Sequence, residues 1–154
     1  MTKSSPLALA LAYPGFSRKS RTTDRTSEDF KTRDARVEFL DGYLELLTDV
    51  EDARFHVRFR DNGIMSAPSE WHIVAIVRVA PTDVAAWIDG LTETDEKTVQ
   101  RAWWSGLDDV DARFVGTGTP RFFVREGRHT YVVAFDDGVV MKLVSTRDPS
   151  QPEG

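Results

Sequence analysis

"RFFVREGRHTYVVAFDDGVVMKLVS", residues 121–145, decides the fold class. It holds three apolar runs, "RFFVRE", "TYVVAFD" and "VVMKLVS", separated by two short polar breaks. Asp137-Gly138 between apolar runs is a strong hairpin signal, because a type I′ turn needs positive φ at both central residues. "GRH" at 127–129 supplies the other break. Strands joined this closely run antiparallel, since a parallel crossover needs a dozen or more residues.

Towards the N-terminus the same period of two returns. Phe55, Val57 and Phe59 alternate with Arg54, His56, Arg58 and Arg60, which marks a strand with one wet face. "EWHIVAIVRV" at 70–79 is apolar on both faces apart from His72 and Arg78, as a central strand is. Helical spacing appears elsewhere. Thr26 or Ser27 is placed to cap a helix with Glu28 and Asp29 in its first turn, and Phe30, Val37, Leu40, Leu44 and Leu47 then form one stripe. Pro81 opens "PTDVAAWIDGL", with Val84, Trp87, Ile88 and Leu91 in helical register and Gly90 near the end. A further short helix is expected over 95–104. The order helix, strand, strand, helix, helix and three strands predicts an α+β, two-layer domain: an antiparallel sheet of about five strands with helices packed on one face.

Chain length allows one hydrophobic core, and a 40% hydrophobic, 29% charged composition is that of an ordinary globular domain. The expected organisation is a flexible basic tail over 1–26, one domain over 27–147 and a frayed tail over 148–154. Of the formal charge of −5, residues 1–26 carry +4, so positions 27–154 carry −9. An acidic body repels phosphate backbones and admits a basic protein partner, so no nucleic acid is expected. The chain has no cysteine, which removes disulfides, thiolate metal sites and a cysteine nucleophile. No apolar run approaches the ~20 residues of a membrane span. "PLALALAY" after Lys3 has the order of a short signal peptide, so a cytoplasmic location is expected with export as the alternative.

The connection between the first two strands is the candidate site. Residues 61–69 exceed the two to five residues usual in a hairpin loop. Asp61, Asn62, Ser69 and Glu70 bring side-chain oxygens to its mouth beside Trp71, and His56 lies on the wet face of the preceding strand. Such oxygens suit a cation or a polar ligand, although Asp, Asn and Ser are also ordinary turn residues. The three histidines show no i, i+4 metal spacing; neither a metal nor a cofactor is expected. No Gly-x-Ser-x-Gly elbow is present, and "GTGTP" at 116–120 lacks the lysine and the following helix of a phosphate loop. Asp108, Asp109 and Asp111 read as a solvated run, and adjacent Trp103 and Trp104 as a helix end with one ring partly exposed.

Phe55-His56, Asp61-Asn62, Pro68-Ser69-Glu70-Trp71, Trp87 and Gly90 together resemble the signature of a group of uncharacterised bacterial proteins. The resemblance covers about residues 37–91 and implies no activity. Some members look exported or lipid-anchored, but this chain offers no cysteine for a lipid. The residues therefore point first to a small acidic binding protein, inhibitory or immunity-like, without catalysis. A non-catalytic envelope protein is the second reading, and an enzyme using His56, Asp61 and Glu70 the third.

Overall fold

The computed structural model describes residues 21–61, 69–99, 107, 112–147 and 149. Seven strands form one sheet, in which every pairing is antiparallel. In chain order they are β1 (Arg21–Thr26), β2 (Asp52–Asp61), β3 (Glu70–Arg78), β4 (Thr92–Thr94), β5 (Arg121–Arg125), β6 (His129–Ala134) and β7 (Val139–Ser145). Their spatial order is β1-β2-β3-β7-β6-β5-β4. The chain therefore builds one meander, crosses to the far edge, and returns by a second meander until β7 pairs with β3. Among the described residues two short helices complete the α+β fold: α1 (Arg33–Asp41) between β1 and β2, and α2 (Val84–Ile88) between β3 and β4.

The sheet is wider than the five strands expected, and the two additional strands stand at its edges. β1 is "RTTDRT" and β4 is "TET". Neither alternates apolar with polar residues, because an edge strand is held by main-chain bonds and need not bury a side chain on each face. β1 also shows that Arg21–Thr26, expected as part of a flexible tail, form a strand of the sheet.

The first helix is shorter than its stripe predicts. Thr26 precedes a single 3₁₀ turn, Ser27–Asp29, whose Asp29 carboxylate accepts the Thr26 N–H at 2.9 Å. Phe30 then returns to extended backbone, and Thr32 caps α1 by accepting the Ala35 N–H at 3.1 Å. Two capping signals six residues apart split one stripe into two elements. Leu40 and Leu44 remain buried, whereas Leu47 is 40% exposed. Residues 96–98 form a turn in place of the start of the expected helix over 95–104, and positions 100–104 lie outside the described residues. Trp103, Trp104, Asp108, Asp109 and Asp111 lie outside them as well.

Apolar side chains collect on both faces of the sheet. Phe55, Val57, Ala75, Val77, Val132 and Val140 form one cluster with Leu40 of α1 and Val84 and Trp87 of α2. Ile76, Val133, Met141 and Leu143 form the other, closed by Val99 and Phe114. β3 contributes to both, and Ile73 to Val77 are all buried, as its sequence predicts. Burying one such side chain is worth roughly 1.5–3 kcal/mol. One ionic group ties the layers together: Asp52, 5% exposed, receives Arg36 of α1 at 3.0 Å and Arg113 at 3.3 Å. Burial works against the Asp52 carboxylate, yet the bonds from Arg36 and the Ala53 N–H and the charge of Arg113 outweigh it and hold its pKa below the ordinary value.

The glycine-bearing loop expected to be no phosphate site has a packing role. A Cβ at Gly116 would overlap the Phe135 ring, and Thr117 donates from both its N–H and its hydroxyl to Asp137 Oδ2. That pins the loop to the β6–β7 turn, where Gly138 has φ +102°.

Candidate functional site

The β2–β3 hairpin places the candidate residues by strand alternation. Its register sets Phe59 opposite Trp71, Arg60 opposite Glu70 and His56 opposite Val74. Side chains opposite one another share a face, so the candidates divide. Trp71 lies with Phe59, while His56 and Glu70 belong to the other face. Asp61 ends β2, and the Ser69 hydroxyl reaches its Oδ1 at 3.5 Å, the limit of a hydrogen bond. Asn62, and with it the loop interior through Pro68, lies outside the described residues.

Trp71 is the most distinctive of these side chains. It is 36% exposed, and its ring lies flat on Phe59, with centroids 6.1 Å apart and planes 5° apart. Phe59 is backed in turn by Tyr43 at 5.9 Å, Tyr43 by Phe39 at 5.1 Å, and Phe39 by Phe55 at 5.7 Å. A row of rings thus runs from the core to the surface and ends on Trp71. The main chain is fixed too: the Trp71 N–H donates to Thr146 Oγ1 at 3.2 Å, and the Thr146 N–H donates to the Trp71 carbonyl at 2.9 Å.

On the opposite face Glu70 is engaged by Arg147 at 3.2 Å. His56 Nε2 lies 2.6 Å from Asp24 Oδ1 of β1. His72 Nδ1 lies 3.1 Å from Ser145 Oγ of β7, and that oxygen accepts the Arg147 N–H at 3.1 Å. His56 and His72 are diagonal neighbours and do not face each other directly, since His72 stands opposite Arg58. His129 stands opposite Ser145 from the far side. All three histidines therefore share one face. The alternation of residues 54–60 signalled which face His56 takes. His72 comes near it once the β2–β3 hairpin closes in register, whereas Ser145 and His129 could not be placed beside it without knowing that β7 sits between β3 and β6.

Among the described residues, no group of three or more His, Asp or Glu side chains is placed to hold a metal ion, and no helix is long and apolar enough to cross a membrane. No family model, curated protein or solved structure matches this chain.

Proposed function

We propose that this protein is a non-catalytic binding protein that recognises another protein through the end of the β2–β3 hairpin, with Trp71 as the anchor. The scaffold in this reading is a two-layer α+β domain whose helices cover the face that carries Trp71. The observation that carries it is the flat stack of Trp71 on Phe59, exposed yet with its main chain held by Thr146 just past β7. A large aromatic held in place before contact loses little conformational entropy on binding, and such residues dominate interface energetics. The −9 charge of positions 27–154 favours a basic partner, and toxin neutralisation is one form that such binding takes. An acid–base site built from His56, Asp61 and Glu70 is not favoured. His56 is turned to Asp24 and Glu70 to Arg147, on the face away from Trp71.

Affinity capture from the native host with the full chain and with Trp71→Ala tests the reading, the captured protein being purified and bound again in isolation. Wild type should capture a basic protein that Trp71→Ala loses by about tenfold or more in affinity, with circular dichroism unchanged. A partner bound equally by both proteins would exclude Trp71 as the anchor.

A further inference from the structure

The face opposite Trp71 carries a polar strip that the hairpin reading leaves unused. Asp24, Arg58, His72, Ser145 and His129 stand opposite one another across β1, β2, β3, β7 and β6. In the neighbouring row Thr22, Arg60 and Glu70 do the same. The acidic members are engaged, Asp24 with His56 and Glu70 with Arg147. The side chains of Arg58 and Arg60 are exposed and, among the described residues, have no hydrogen bond, ion pair or ring contact. Elsewhere Arg36, Arg78 and Arg113 each meet a carboxylate. The two acidic members are thus paired away from Arg58 and Arg60, which stay as two exposed cations on this face.

A second feature adjoins it. β1 is the edge of the sheet, so the outer row of its N–H and C=O groups faces no strand among the described residues. An open edge accepts an extended peptide through main-chain hydrogen bonds. Such a peptide would lie two strand spacings, roughly 9.6 Å, from β2. Between it and Arg58 and Arg60 stand, among the described residues, Asp24, turned to His56, and the small Thr22. An arginine and a glutamate together bridge that gap. Side chains two apart on a strand repeat at roughly 6.8 Å, so Arg58 and Arg60 match acidic residues at alternate positions of an added strand. Guanidinium and carboxylate pair in bidentate fashion.

We propose that the β1 edge and the Arg58–Arg60 pair form a docking site for an extended acidic segment of a partner protein, carrying carboxylates at alternate positions. The site stands apart from the Trp71 surface and does not depend on it.

The probe is a ten-residue peptide alternating Glu with Thr, titrated against the full-length protein at low salt. A block peptide of identical composition and an alternating Lys-Thr peptide serve as comparisons. The alternating acidic peptide should bind, weaken as salt rises, and lose about tenfold in affinity with Arg58→Gln/Arg60→Gln. Methylating its alternate backbone amides should abolish binding, and Trp71→Ala should leave it unchanged. The single variants should each lose part of the affinity, and they decide the matter if the double variant does not fold. The proposal is overturned if the alternating peptide fails to bind, if the block peptide binds equally well, or if the arginine variants bind as wild type does. Sedimentation of a wild-type dimer that the arginine variants break would assign the edge to a second copy of this chain and equally overturn it.

Discussion

Trp87 and Trp71 are both backed by the same sheet, and their surroundings differ in every other respect. Trp87 is 1% exposed, its Nε1–H donates to Thr48 Oγ1 at 2.9 Å, and Lys142 Nζ lies 5.5 Å from its ring centre. Trp71 stacks on the Phe59 ring and is 36% exposed. One indole closes a core with its polar atom satisfied; the other ends a row of rings at the surface. Residue type therefore says little about role. What surrounds the ring decides it.

The strongest way to break that contrast is to truncate both rings. Trp87→Ala should cost roughly 3–5 kcal/mol in urea unfolding, the range for a large aromatic removed from a core. A cost near that of a surface change would show that α2 does not seal this region. Next in size is the ionic group at Asp52. Its carboxylate pKa is lowered on folding, so its stabilisation is present above the unfolded value of about 3.9 and is lost as pH falls through the lower folded value. Asp52→Asn, measured by thermal melts from pH 7 to pH 2, should lower stability at neutral pH and flatten the acid limb. An unchanged acid limb would assign acid unfolding to other carboxylates.

Trp71→Ala should cost only about 1 kcal/mol, the worth of an aromatic pair beyond burial. A loss as large as that of Trp87→Ala would make Trp71 a structural residue and remove the contrast. The smallest effect belongs to Lys142. Burial lowers its pKa, with the charge of Arg125 adding to this and Glu45 opposing it. For a lysine whose folded pKa lies below the unfolded one, stability rises with pH between the folded value and about 10.4. Lys142→Met should remove that rise and lift the neutral-pH melting temperature by about 2 °C. A fall in melting temperature would mean that the cation–ring contact with Trp87 outweighs the cost of burying the charge.

The sequence is most legible where side chains must be buried. β2, β3 and the three C-terminal strands follow from alternation and turn residues because each sets apolar side chains against a core. Trp87 was readable from its helical register for the same reason. β1 and β4 were not, since "RTTDRT" and "TET" are held by main-chain bonds that leave no apolar period. The break at Phe30 was hidden because its apolar side chain kept the stripe intact while Thr32 restarted the helix. For the site, the oxygens of Asp61 and Ser69 were rightly set near each other by closing the hairpin. The pairs Asp24–His56, His72–Ser145 and Glu70–Arg147 join residues 32, 73 and 77 positions apart, and strand order alone brings them together.

The place of β7 has a consequence for how the chain assembles. It is the last of the described strands in sequence order, yet it occupies the middle of the sheet, between β3 and β6. Until it arrives, β3 presents an open edge beside the apolar run Ile73–Val77. Joining the halves means closing the long chain segment between Arg78 and Val139, whose ends pair directly. Contacts of that separation make folding slow. The interval between synthesis of β3 and seating of β7 is therefore when this protein is most exposed to aggregation, and when a chaperone has most to shield.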